Sequence, residues 1–297
     1  MKKVITRRDF MKKGAYVVLG TAAGFSSLGA QTVGQKPLRS RVVLIRHQDA
    51  LDEDLKFNEG IILRMLDEAV AALFNRDEPL SVFKQLVKPG DIVGIKSNVW
   101  NYLPTPPELE KAIKQRLLDA GVKEENIGID DRQVRDNPIF QKATALINVR
   151  PLRTHYLAGM SGCLKNYITF SENWPANHPN NCENLALLFR LPMVKDKTRL
   201  NILSVLTPQF HSRGPHSFDR RYVWEYKGLL VGTDPVAVDT VGLQILMAKR
   251  TEHFGSQSRL PAAPRHIRAA DVKHGLGNND LNNIELIKLG WKEGMLI

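Results

Sequence analysis

The sequence predicts an α/β fold, a mostly parallel sheet with helices on both faces. Two patterns carry that expectation. Short apolar runs of strand length alternate with segments whose apolar residues recur at helical spacing. Several runs are apolar at every position, as in strands covered on both sides. The chain has 297 residues, 43% hydrophobic and 25% charged, enough apolar material for a full core.

The first 30 residues read as an export signal rather than as part of that fold. Arg7 and Arg8, followed by Phe10 and Lys12, precede an uncharged apolar run over residues 15–28 that ends among small residues. This is the order of a cleavable secretory signal, and the arginine pair resembles the twin-arginine type, which carries folded cargo. The run is shorter than the about 20 residues a membrane span needs, and Gly20 and Gly24 interrupt it. Cleavage is expected within residues 27–31. Residues 31–40 then form a polar linker and residues 41–297 a single α/β domain, with two lobes meeting near residue 150 as the alternative. The export machinery is the expected partner, and the location periplasmic or otherwise exported. The chain would be soluble after signal removal and touch the membrane only through an uncleaved signal.

Composition narrows the ligand class. The formal net charge is +11, of which residues 1–30 supply +5, so +6 stays with the mature chain. That excess is spread out, with no arginine-rich helix and no basic stretch interleaved with aromatics, so no nucleic acid is expected. A small anionic ligand or a membrane surface suits a mildly basic protein equally well. The two cysteines, Cys163 and Cys182, are expected to stay unpaired, since twin-arginine cargo folds in reducing cytoplasm.

The elements follow in order. Residues 41–46 contain Val42, Val43, Leu44 and Ile45 in a row and read as a buried strand. Ile61, Ile62, Met65, Leu66, Ala69, Val70 and Leu73 make one core-facing helical stripe. The turn Lys88-Pro89-Gly90-Asp91 leads into a strand over residues 92–95. A helix starts at Pro106 or Pro107 and stops before Gly121. Strands are expected at residues 127–129, 145–149, 200–206, 228–232 and 284–289. Helices are expected from Asp234-Pro235 to Met247, with Asp234 as N-cap, and over residues 264–274.

In such sheets, sites lie beyond the carboxyl ends of the strands. Four polar clusters sit at predicted strand ends: Lys96-Ser97-Asn98, Asp130-Asp131-Arg132, residues 150–155 with Arg153 and His155, and Thr233-Asp234. The third runs on into Gly159, Gly162, Lys165 and Asn166. One shared crevice would place Lys96, Asp130, His155 and Lys165 for catalysis and Asn98, Arg153, Asn166 and Asp234 for binding. Each has a blander reading: Asp234 as a helix cap, Asp130 and Asp131 as turn residues with at most one facing the crevice, Lys96 as a solvated strand end. His155, His178, His211 and His216 match no zinc spacing, so no metal is expected. A Walker A loop and a Rossmann glycine fingerprint are both absent, so the cofactor stays unknown. Ser161 and Ser204 lack a nucleophile-elbow context.

These ordered motifs, Lys88 to Asn98, Ala145 to His155, Gly159 to Asn166 and Gly228 to Asp239, resemble the domain-of-unknown-function 362 family. The resemblance runs from about Arg41 to Leu289. It implies an α/β fold and export by the twin-arginine route, but no particular reaction. Some members carry ferredoxin-like iron–sulfur modules; this chain lacks those cysteine runs and cannot hold such a cluster alone. Where the family suggests a lysine two positions before His155, this chain has Arg153, which can grip an anion with two bonds but cannot accept a proton. Schiff-base or general-base chemistry then falls to Lys96 or Lys165. Two functions follow: an exported enzyme acting on a small anionic substrate, or a non-catalytic exported ligand-binding or redox-accessory protein.

Replacing Arg7 and Arg8 by lysine preserves charge while removing the pair the export receptor reads. Precursor should then accumulate in the cytoplasm, as followed by fractionation and immunoblotting. Unimpaired export of the double-lysine variant would show that a different route is used.

Overall fold

The structure is a computed structural model that describes residues 37–212 and 218–297. The signal, most of the linker and His216 lie outside the described residues.

One sheet of eight strands organises the chain. Its strands are β1 (Ser40–Arg46), β2 (Val93–Lys96), β3 (Ile127–Asp130), β4 (Ala145–His155), β5 (Gly159–Ser161), β6 (Thr198–Gln209), β7 (Gly228–Gly232) and β8 (Ile284–Gly290). The order across the sheet is β3-β2-β4-β6-β7-β1-β8, with the short β5 paired to β4. Pairing is parallel except where β7 meets β6 and β1 and where β5 meets β4. The fold class is therefore the expected one, α/β with a mostly parallel sheet.

Alternation along the strands divides the core in two. Val42 and Leu44 of β1 join one apolar cluster, while Val43 and Ile45 join the other on the opposite face. Helices α1 (Glu59–Leu73), α2 (Pro79–Leu86) and α3 (Pro107–Asp119) pack into the second cluster. The stripe read from the sequence is the buried face of α1, from Ile61 to Leu73. Burying each such Leu or Ile side chain contributes roughly 1.5–3 kcal/mol. The short α4 (Pro138–Lys142) and α5 (Cys163–Asn166), together with α6 (Pro235–Phe254) and α7 (Arg265–Val272), supply residues to the first cluster. No helix among the described residues is long and apolar enough to cross a membrane.

Two departures from the sequence expectation matter for function. First, β4 does not stop at Val149 but continues to His155, buried at every position. Pro151 cannot donate to the ladder, and the β4–β6 register shifts between Pro151 and Arg153. Residues 150–155 are therefore fixed by the sheet rather than by a loop. Second, β7 runs antiparallel to its neighbours, pairing Gly232 with Val42 near the start of β1. A parallel partner needs a crossover helix, and among the described residues between β6 and β7 there is a single short helical turn (Arg220–Tyr222).

Asp234 therefore lies at the opposite edge of the sheet from Lys96, and the expected four-cluster crevice loses this member. There it caps α6 through the N–H groups of Val236 and Ala237 at 2.8 and 3.2 Å. Its other oxygen accepts from Ser40 Oγ (2.5 Å) and from the N–H of Asn278 (2.8 Å). A Cβ on Gly277 would meet that carboxylate at 1.9 Å, so Gly277 admits the contact.

An equivalent clamp joins α5 to α6. Asp239 accepts from the N–H groups of Cys163 (2.6 Å) and Leu164 (2.9 Å), and a Cβ on Gly162 would sit 2.2 Å from its Oδ1. Gly162 has φ −129°, open to any residue, so close approach rather than backbone freedom excludes a side chain. Gly162→Ala should destabilise the protein by about 1–3 kcal/mol through overpacking, read as a lower urea midpoint. An unchanged midpoint would show that the clamp opens without cost.

Candidate functional site

The carboxyl edge of β2, β3 and β4 gathers an unusual set of buried cations. Lys96 ends β2 and is fully buried, while Arg150, Arg153 and Lys165 are 2, 6 and 5% exposed. Such groups are rarely buried unless paired. Their partners show how the chain accommodates them.

Lys96 is paired. Its Nζ donates to Asp131 Oδ1 at 2.5 Å, to the Ser97 carbonyl at 2.8 Å and, at 3.5 Å, to Asn166 Oδ1. Burial lowers its pKa to about 8 against the pull of Asp131. Burial acts the other way on Asp131, but Lys96, the Val99 N–H and Arg150 together hold its carboxyl below the usual range. Both groups are charged at neutral pH. Asp131, not Asp130, is the carboxylate that turns inward. Adjacent residues on a strand point apart, and Asp130 closes the following turn by accepting from the N–H of Gln133 (3.1 Å) and from Asn137 Nδ2 (3.0 Å). Its expected catalytic place is corrected accordingly.

Asn166 ties this pair into the sheet. Its Nδ2 donates to the carbonyls of Lys96 (2.9 Å) and Val149 (3.1 Å) and to Asn148 Oδ1 (2.8 Å). Asn148 passes the chain to Asn201 Oδ1 at 2.9 Å, and Asn201 to the Thr233 carbonyl at 2.9 Å. Each amide finds partners, as a buried polar network requires.

Above the pair lies a cleft of about 200 Å³. Of the residues named from the sequence, Asn98, Arg153, His155, Lys165 and Asn166 line it, while Lys96 lies beneath. Sequence reasoning gave no role to Trp100, Asp131, Arg150, Ser161, Thr169 and Trp174, which also line it. Arg150 and Ser161 fell inside flagged clusters, and Asp131 was flagged beside Asp130. The two tryptophans left no signal. Arg153 stacks 4.2 Å from the centre of the Trp100 ring and donates to Asn98 Oδ1 at 3.0 Å and to the Leu103 carbonyl at 3.4 Å. Burial, then Arg150, makes its charge costly.

His155 has a fixed tautomer. Its Nδ1 accepts from the N–H groups of Leu157 (3.2 Å) and Ala158 (3.3 Å), so the ring proton sits on Nε2. Burial, then Lys165, Arg153 and Arg150, pushes its pKa far below the ordinary value. The ring is a neutral hydrogen-bond donor whose Nδ1 lone pair is already engaged.

Lys165 stands in a different state from Lys96. Its Nζ meets His178 Nε2 at 3.2 Å, and no carboxylate pairs with it among the described residues. Burial lowers its pKa to about 8, with Cys182 opposing and Arg150 and Arg153 adding to the effect. Asp239 holds the turn of α5 that carries both Lys165 and Asn166, and burial raises its own pKa to about 7. Both cysteines are free thiols in the interior.

A larger groove of about 400 Å³ lies beside Trp224, Trp291 and Met295. Of its charged groups, Arg46 is engaged by the carbonyls of Tyr226 (2.7 Å) and Glu293 (2.6 Å), Lys249 by Glu252 (3.2 Å), and Glu225 by Lys227 (3.4 Å). Chemistry therefore favours the smaller cleft over the larger one.

Asp131→Asn should separate the two adjacent acids. It leaves the Lys96 ammonium buried without a counterion, a loss of about 3–5 kcal/mol. Asp130→Asn keeps an oxygen in the turn and should cost about 1 kcal/mol or less. Urea unfolding of both variants reads the difference, and equal losses would contradict the assignment of Asp131 as the inward partner.

No curated protein and no solved structure matches the chain. Residues 123–244, the segment that carries Asp131, β4, Lys165 and Asp239, match the model of the family described as Domain of unknown function (DUF362).

Proposed function

We propose that the cleft binds a small molecule bearing a carboxylate or phosphate, and that the protein acts on it as an exported enzyme. The observation that carries this reading is charge balance. Arg132, Arg150, Arg153 and Lys165 line the cleft against Asp131, whose charge is already matched by Lys96. Arg150 Nε, Arg153 Nε, Ser161 Oγ and Thr169 Oγ1 are buried without hydrogen-bond partners among the described residues, and all belong to cleft-lining residues. An anion would meet these donors and offset the cost of burying the guanidinium groups. Export rests on Arg7, Arg8 and the apolar run after them, with the twin-arginine machinery as partner.

A specific observation favours the second reading, a non-catalytic ligand-binding or redox-accessory protein. His155 is locked as a donor and Lys96 is bound to Asp131, so two of the four catalytic candidates are engaged. Among the described groups of the cleft, Lys165 with His178 is left to move a proton.

Titration calorimetry with inorganic phosphate tests the anion site. Arg153→Gln removes a donor aimed at a charged ligand, worth about 1.5–3 kcal/mol, so phosphate affinity should fall roughly 10- to 100-fold. Melting temperature should change little. Equal phosphate affinity in the variant, or no phosphate binding to the wild-type chain, would remove this reading.

A further inference from the structure

We propose that Lys165 is an amine nucleophile that condenses with the ketone or aldehyde carbon of a 2-oxo carboxylate, whose carboxylate lies against Arg153 and the Nε2–H of His155. This deepens the anion-site reading and rests on it.

The two buried lysines of this edge make the argument by contrast. Lys96 has a carboxylate partner at 2.5 Å, two further acceptors and no exposure, so it is held as an ammonium and closed to a ligand. Lys165 lines the cleft, has no carboxylate partner among the described residues, and is surrounded by the cations Arg150 and Arg153. Burial beside other cations favours the neutral amine, the form with a free lone pair. A merely structural lysine in this place would carry a counterion.

The surroundings complete the chemistry. The His178 ring lies beside the lysine, its Nε2 3.2 Å from the Lys165 Nζ. In the tautomer with its proton on Nδ1, the Nε2 lone pair points at the lysine. In that tautomer His178 can take a proton from the attacking nitrogen. The Asp239 clamp on α5 fixes the start of the turn that carries Lys165. Arg153 is held by Asn98 and the Trp100 face, which aims the guanidinium rather than leaving it mobile.

The step balances without any added reagent. The Lys165 nitrogen attacks the carbonyl carbon, and one N–H proton passes by way of His178 to the carbonyl oxygen, giving the carbinolamine. Loss of that hydroxyl with the second N–H proton releases water and leaves a C=N bond.

The test incubates the full chain with pyruvate and sodium cyanoborohydride, followed by intact-mass and peptide mass spectrometry. The wild-type protein should gain the mass of one pyruvate less one oxygen, localised to Lys165. The rate should rise with pH through the region near 8, where the amine deprotonates. Lys165→Arg, which keeps the charge and the fold, should gain nothing at this position, with its melting temperature confirming the fold. Arg153→Gln should need roughly tenfold more pyruvate for the same extent of labelling. No adduct at Lys165 with pyruvate, glyoxylate or 2-oxoglutarate, in protein that still binds phosphate by calorimetry, overturns the amine role and leaves the anion site standing. Labelling spread over surface lysines and unchanged in Lys165→Arg overturns it too. Loss of both phosphate binding and labelling removes the anion site itself.

Discussion

The constraint on which this structure turns is the burial of positive charge at one end of β4. A cation taken out of water costs several kcal/mol even after relaxation, unless opposite charge and hydrogen bonds replace the lost solvent. Arg150, Arg153, Lys96 and Lys165 all pay that cost on neighbouring elements, each no more than 6% exposed. Stability alone would be better served by apolar side chains of similar volume. The surrounding groups therefore read as an arrangement that makes a functional burial tolerable.

Three devices carry that arrangement, each on a different element. Asp131 neutralises Lys96 from the end of β3. The amide chain from Asn166 through Asn148 to Asn201 satisfies the polar groups that cross the sheet beneath the cleft. Asp239 reaches from α6 to the first turn of α5, within range of Arg150, through the space that Gly162 leaves open. Of these residues, Asn166 and Asp131 line the cleft, both already engaged by hydrogen bonds. Together they fix the position of Lys165 and Arg153, which is what a site needs more than bulk affinity.

The sequence was informative about elements and much less so about directions. Apolar runs and the Ile61 to Leu73 stripe located strands and helices because burial periodicity is a local property. Strand direction is not local, and β7 was misread as one more parallel strand even though no helical pattern separates it from β6. That single reversal moved Asp234 to the other edge. The choice between Asp130 and Asp131 depended on which residue ended β3, a difference of one position that flips the side chain to the opposite face. The protonation site of His155 depended on two backbone N–H groups of its own turn, and composition holds no trace of them. Cluster membership was legible, whereas the orientation of each side chain within a cluster was not.

The contrast between Lys96 and Lys165 shows how one edge can give the same residue type two roles. Both are buried and both have pKa values lowered to about 8, so their titration alone does not distinguish them. Partners do. A lysine facing a carboxylate gives up its proton only by leaving that carboxylate an unmatched buried charge, so the pair is stable as an ion pair. A lysine facing a neutral imidazole and two guanidinium groups gives up its proton with relief of repulsion, and nothing nearby is left unmatched. Arg153 sharpens the division, because its guanidinium keeps its charge at any pH the protein meets and supplies that repulsion permanently. An incoming carboxylate would take up the charge of Arg153, whereas a neutral Lys165 would keep its lone pair for the adjacent carbonyl. Binding and reactivity are then assigned to different cations, and neither role requires the other residue to change state.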